Sequence, residues 1–294
     1  MSFIEKGNEY GVDQLLSGTG HKVMELEVPQ GKSVKRGQAV NASAELSDGT
    51  DLFGIVLETA DGTTAKTKTT VVVFGEVIFE GLELKAATVK SDFIKKAKGR
   101  VKISLAHTNA DFQTALLAYR AGASHAVHLF NAMTGLDHRN PGVVGATVES
   151  KEVYAELITD GIHVHPVMVR AAFALLGEDR VVLISDSLRS TGMPDGIYDL
   201  GGQKVQKEGK RCTLVEGGNL AGSVSNVFDC MKTAVQLMKI PFRSAILAST
   251  INPAKALGVE KTVGSISVGK KADYLLLDNE LNLKAVYQSG KEIE

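Results

Sequence analysis

The sequence predicts an α/β protein with a parallel sheet, preceded by a small β-rich domain. Three observations carry this. The rhythm of apolar runs lengthens near Gly99, buried-type strands then alternate with helix-period segments, and polar side chains recur where those strands end. Before the change, "KVMELEVPQG", "DLFGIVLETA" and "TKTTVVVFGEVIF" are strand-like runs set apart by Gly, Asp, Asn and Ser at close intervals. "TVKSDFIKKAKG" follows, where Thr88 or Ser91 can cap a short helix that is basic in its last turn and stops at Gly99. Beyond it, "VKISL", "HAVHL", "VYAELI" and "VVLIS" read as buried strands. "NADFQTALLAYRAG", "HPVMVRAAFALLG" and "VSNVFDCMKTAVQLMK" are helical in period. Gly122 and Gly177 stand where helix C-caps belong, and Pro166 at a first helical position. No internal repeat suggests a solenoid.

Composition narrows the function. At 294 residues and 44% hydrophobic, the chain can bury a large core and hold more than one domain. Its 33 basic and 34 acidic residues create no field that would gather nucleic acid or an anionic membrane. Cys212 and Cys230 form no disulfide framework or zinc knuckle, so both read as buried thiols in a reducing compartment. The opening "MSFIEKGNEY" lacks an apolar signal segment, and no apolar run of about 18 residues occurs. A cytoplasmic location is expected, with neither nucleic acid nor membrane as partner.

His107, His128, Asp160 with His163, and Asp186 stand at the ends of four successive strands. In a parallel barrel such ends share one mouth, where active sites are built. Singly, each has a bland reading: a histidine after a strand is commonly a cap or core residue, and an aspartate there commonly caps a helix. Their recurrence favours a site. Neutral imidazoles on neighbouring strands suit Zn²⁺ or a similar divalent ion, and Asp186 is placed to accept a proton from water. Residue chemistry alone therefore points to metal-assisted hydrolysis on half a parallel barrel, with an anionic substrate as one option.

"LAHTNADF", "HAVHLFNAMTGLDHRNPGVVGA", "LITDGIHVHP", "LISDSLRSTGMPDGIYDLGG", "NLAGS", "NPAKALG" and "GSISVGKKADYLLLD", in that order, resemble the N-acetylglucosamine-6-phosphate deacetylases of the amidohydrolase superfamily. The match runs from about Val101 to the C-terminus, and "HLFNAM" followed by "HRNPG" makes it specific. The resemblance implies that His107 and His128 bind a divalent metal, Zn²⁺ first and iron or another ion next. It implies that Asp186 is the general base and that Asn131, Ala132, Arg139 and His163 hold an amino-sugar phosphate. A guanidinium and backbone N–H groups suit phosphate oxygens. His125, His138 and His165 receive no role. Ser187 stands where the family commonly has alanine.

By family order "VKISL" is the fifth barrel strand, so the resemblance implies an incomplete TIM-like (β/α) barrel. The chain holds the second half, strands five to eight, over residues 100–262. Residues 263–294 are then a remnant of the family's β-sandwich domain. The family's metal-binding glutamate, its upstream histidine and its "EGPF" motif have no counterpart, and Glu76, Glu80 and Glu83 are the carboxylates to inspect as replacements. Half a barrel leaves open sheet edges, so self-association or a complementary half-barrel is expected, with weak metal binding and weak or no deacetylase activity alone. Residues 8–99 resemble a bacteriophage head decoration protein of the lambda D type, through "FGIV", "GEV" and their flanking strands. That second resemblance makes residues 1–99 a separate domain. It also implies an alternative function, a capsid-decorating protein whose C-terminal extension is catalytically dead.

Overall fold

The computed structural model describes residues 16–35, 38–40, 43–47, 54–56, 60–77, 102–200 and 202–293. They belong to two compact units that interleave in sequence, Met1–Val153 with Asp186–Val224, and Tyr154–Ser185 with Ser225–Glu294.

The first unit opens with an antiparallel sheet. β1 (Leu16–Val28) pairs along β6 (Thr67–Val77), β4 (Gly54–Val56) joins the other side of β6, and β3 (Ala39–Val40) joins β4. A small ribbon of β2 (Ser33–Val34) and β5 (Ala60–Asp61) lies outside it. Leu26, Val28, Val34, Val40, Val56 and Ala60 gather into one buried cluster, as β-branched residues at alternate positions do. Each of the three strand-like runs of the sequence contributes a strand among the described residues, Gly54–Val56 alone in the case of β4. The helix expected after Thr88 lies outside the described residues.

In the same unit, β7 (Ser104–Leu105) and β8 (His125–Ala126) form a parallel pair. The connection is α1 (Phe112–Ala121), making a βαβ element. Asp111 caps α1 by accepting from the Thr114 N–H at 2.8 Å, and Gly122, at φ 125°, ends it. The buried face of α1 is Ala115, Leu116 and Tyr119, packed with Val143 and Ala146 of α2 (Gly142–Glu149). A buried hydrogen bond of 2.8 Å between the Tyr119 and Thr147 hydroxyls ties the two helices. β11 (Gly196–Leu200), β12 (Gln203–Glu208) and β13 (Arg211–Leu214) form an antiparallel meander.

β9 (Tyr154–Ile158) and β10 (Val181–Ile184) of the second unit are again a parallel pair, joined through α3 (Pro166–Leu176). Pro166 occupies the first turn of α3, and His165 caps it, its Nδ1 accepting from the Val167 N–H at 3.3 Å. α4 (Val227–Gln236) starts at Asn226, whose side chain accepts from the Asp229 N–H at 2.8 Å. α5 (Phe242–Ser249) and α6 (Ile251–Leu257) follow. The "NPAKALG" motif is structural: the Asn252 amide is buried and donates to the carbonyls of Glu178 at 2.6 Å and Val181 at 2.8 Å. These bonds anchor the start of β10. The chain then forms an antiparallel sheet of β14 (Tyr274–Leu277), β15 (Leu283–Gln288) and β16 (Lys291–Ile293), with Tyr274 stacked on Tyr287. Neighbours on a strand point to opposite faces, so the exposed Leu275 and Leu276 put apolar surface on both. Among the described residues no helix is long and apolar enough to cross a membrane.

β7 and β8 are shorter than "VKISL" and "HAVHL" lead one to expect. His107, at φ 44°, and His128, at φ 33°, are left-handed, a conformation that cannot continue a strand.

Candidate metal centre

His107 lies just past β7 and His128 just past β8, so the parallel register of the two strands sets both imidazoles on the same end of the pair. Their Nε2 atoms face each other at 2.9 Å, and the rings meet nearly at right angles, 77° between planes. His107 is exposed and His128 is buried. Burial lowers the pKa of His128, the neighbouring His107 lowers it further, and the carboxylate of Asp186 opposes both. The neutral imidazole is the form that binds a metal.

The pair is frustrated as it stands. Two neutral rings meeting through Nε2 can share one proton, which leaves the Nδ1 of His128 buried without a hydrogen-bond partner in either tautomer. A divalent ion held by the two Nε2 atoms would replace that contact, and 2.9 Å is a separation compatible with two ligand bonds of about 2.0–2.1 Å. The two imidazoles therefore fit a divalent ion. They do not complete its shell: among the described residues no group of three or more His, Cys, Asp or Glu side chains could hold a metal. Of the carboxylates proposed as replacements, Glu76 is on β6, while Glu80 and Glu83 lie outside the described residues.

Asp186 also adopts a left-handed backbone, φ 50°, and its surroundings explain how this is held. The Ser223 N–H donates to the Asp186 carbonyl at 2.7 Å, and the Leu188 N–H donates back to Ser223 at 2.8 Å. Gly222 sits at φ 53°, where a Cβ would lie 2.6 Å from Leu188 Cδ2 and 3.2 Å from the Asp186 carbonyl oxygen. "NLAGS" is thus the brace behind Asp186. Phe130 and Ala132, at φ 78° and 49°, are left-handed too. Among the described residues, five of the nine non-glycine positions at positive φ therefore lie at or near the two histidines and Asp186. Strain of this kind gathers at functional sites.

The loop after His128 holds most of the expected substrate contacts. Asn131 folds onto its own turn, its side-chain amide donating to the carbonyls of His128 at 3.1 Å and Leu129 at 3.3 Å. These bonds brace the turn, and Ala132 stands exposed beside it. Arg139 is exposed, and among the described residues its guanidinium has no hydrogen-bond or ion-pair partner. Asp137 holds its backbone, accepting from the N–H groups of Arg139 at 2.9 Å and Asn140 at 3.2 Å. Thr134 closes the loop, donating to Ala110 at 2.8 Å and accepting from Val143 at 2.9 Å.

His163 belongs to the second unit, just past β9. Its Nδ1 lies 2.7 Å from Asp160 Oδ2, and both side chains are buried. The remaining histidines have local duties. His125 is buried, with Ser124 Oγ at 2.8 Å from its Nδ1; His138 is exposed beside Asp137; His165 caps α3. Cys212 and Cys230 are free and buried, and burial pushes the Cys230 thiol up to about 12.

Parallel βα elements with histidines and an aspartate just past their strand ends place polar groups where α/β barrel proteins build their sites. The chain belongs to the amidohydrolase family, whose model matches residues 59–293. That match begins upstream of Val101, inside the β-rich segment. The chain is similar to N-acetylgalactosamine-6-phosphate deacetylase of Escherichia coli O157:H7, at 40% identity over 194 residues covering 65% of this chain and 50% of the relative. It is similar to N-acetylglucosamine-6-phosphate deacetylase of Vibrio furnissii, at 36% identity over 65% of this chain and 47% of the relative. Among solved structures it resembles the Mycobacterium smegmatis N-acetyl-D-glucosamine-6-phosphate deacetylase in complex with N-acetyl-D-glucosamine-6-phosphate. The TM-score is 0.64 and the identity 31%, over 69% of this chain and 53% of that one. The chain spans about half the length of these two curated relatives.

Proposed function

We propose that this chain is the half of an N-acetylhexosamine-6-phosphate deacetylase that carries two metal-binding histidines, and that it is weakly active or inactive until a complementary half is supplied. The observation that carries the reading is the 2.9 Å approach of the His107 and His128 Nε2 atoms beside the charge of Asp186. Relatives named for the glucosamine and galactosamine isomers support the substrate class. The apolar residues exposed on β14–β16 support a missing cover, either a second copy or a complementary half-barrel.

In this reading His107 and His128 hold a divalent ion, Zn²⁺ first and iron or another ion as alternatives. Such an ion supplies an acidified water and a polarised amide carbonyl. Asp186 accepts the proton of the attacking water and returns it to the departing amine, giving acetate and a hexosamine 6-phosphate. By the family resemblance Asn131, Ala132, Arg139 and His163 are the residues that hold the amino-sugar phosphate, Arg139 and a backbone N–H being suited to its phosphate oxygens. With two protein ligands in place of three, affinity for the ion is low.

The test measures bound metal and acetate release from N-acetylglucosamine 6-phosphate and N-acetylgalactosamine 6-phosphate. It uses the chain alone and mixed with a separately made N-terminal half of a family deacetylase. Metal uptake and turnover on mixing, both lost in His107→Asn and Asp186→Asn respectively, are the expected results. Absence of both, with binding to phage capsids instead, overturns the proposal.

A further inference from the structure

We propose that Asp160 is the positioning residue of His163: it fixes the ring so that Nδ1 carries the proton and Nε2 alone is offered to the ligand. The inference rests on the reading of His163 as a substrate contact and assigns a role to a residue that the reading left without one.

The two oxygens of Asp160 do different work. Oδ1 accepts from the N–H groups of Ile162 at 2.9 Å and His163 at 3.0 Å, folding the chain back through Gly161 at φ 86°. A turn-forming aspartate needs nothing more. Oδ2 is nevertheless committed separately, 2.7 Å from His163 Nδ1. The Asp160 side chain is 1% exposed and that of His163 7%, so this second bond is made in an interior where an unmatched partner is costly. Burial by itself raises the Asp160 pKa, but the hydrogen bonds from the His163 ring and from the two backbone N–H groups outweigh it and hold the carboxyl below its ordinary range. A carboxylate has no proton to give, so Nδ1 must be the donor.

The consequence is a ring with one assigned end. With Nδ1–H committed, Nε2 accepts when the ring is neutral and donates only when it carries a second proton. The strand end behind the pair is also tied, since Thr159 Oγ1 donates to the Cys230 carbonyl at 2.9 Å, a buried bond to α4. Backbone, carboxylate and ring are therefore placed together before any ligand arrives, which lowers the ordering that binding must supply.

The experiment is a ¹⁵N-resolved titration of His163 in the whole chain, assigned by comparison with His163→Gln. We expect Nδ1 to stay protonated throughout while Nε2 alone loses its proton, and we expect Asp160→Asn to spread the neutral ring's proton over both nitrogens. A merely structural aspartate leaves the tautomer unmoved on substitution. An unprotonated Nδ1 in the parent chain, or the same tautomer in Asp160→Asn, overturns the inference. Should Asp160→Asn fail to fold, the parent chain's Nδ1 signal decides by itself. Added N-acetylglucosamine 6-phosphate separates the two readings: a held tautomer with no response of His163 to the sugar phosphate defeats the substrate contact and not the orienting bond. Where binding is seen, Asp160→Asn weakens it roughly tenfold or more, the scale on which removing a histidine's orienting partner acts, and has no further effect in His163→Gln.

Discussion

His125 should make the chain's stability fall as acid is added, in a window where carboxylates have little influence. Its ring is buried at the start of β8, and burial, helped by the positive charge of Lys102, pushes its pKa from the ordinary 6.5 down to about 4. In the unfolded chain the ring takes up a proton near pH 6.5; in the folded chain it stays neutral until about pH 4. The unfolded state therefore binds more protons between these values, and stability falls as pH falls. The contribution is complete above pH 6.5 and is lost towards pH 4. A gap of that size corresponds to roughly 3 kcal/mol in full, and to roughly 2–3 kcal/mol between pH 7.5 and 4.5. Against a total stability of about 5–15 kcal/mol, that is a large share. Urea unfolding of the parent chain and His125→Gln at both pH values isolates it, because every other titrating group, His128 included, is common to the two. We expect the parent to lose roughly 2–3 kcal/mol more than the variant over this interval. Equal losses, or a folded-state His125 resonance that titrates near 6.5, would refute the reasoning.

Two further outcomes follow from the packing. Gly222→Ala puts a side chain in the left-handed region and against Leu188 and the Asp186 carbonyl, so it should lower stability by about 1–3 kcal/mol in denaturant titrations. An unchanged unfolding midpoint would show that the brace behind Asp186 is looser than its distances imply. Neither Cys212 nor Cys230 should react with a thiol reagent in the folded chain, since both are buried and burial raises both pKa values, and both should react once it is unfolded. A thiol titrated without denaturant contradicts this.

Much of the second half was legible because its signals are local. Gly122, Pro166 and Gly177 mark helix ends through backbone chemistry that acts within a turn. The placement of His107, His128 and Asp186 at strand ends was also legible from apolar runs that stop on a polar residue. What the runs could not give is where each strand ends, because an apolar run does not mark the left-handed turn that follows at His107 and His128. The β11–β13 meander escaped for a different reason. Lys207 points inward on β12 and is buried against Asp195 at 2.6 Å, which breaks the alternation that marks a strand. Asp160 read equally well as a cap. The fold separates the oxygen that holds the backbone from the oxygen that holds the ring.

The positive φ angles at His107, His128 and Asp186 set folding and chemistry against each other at the same three positions. Glycine or asparagine would relax each junction and erase the donor set at one stroke. A library of variants selected only for survival on heating should accumulate such replacements there early. Variants selected for retained metal should keep the side chains and recover robustness elsewhere.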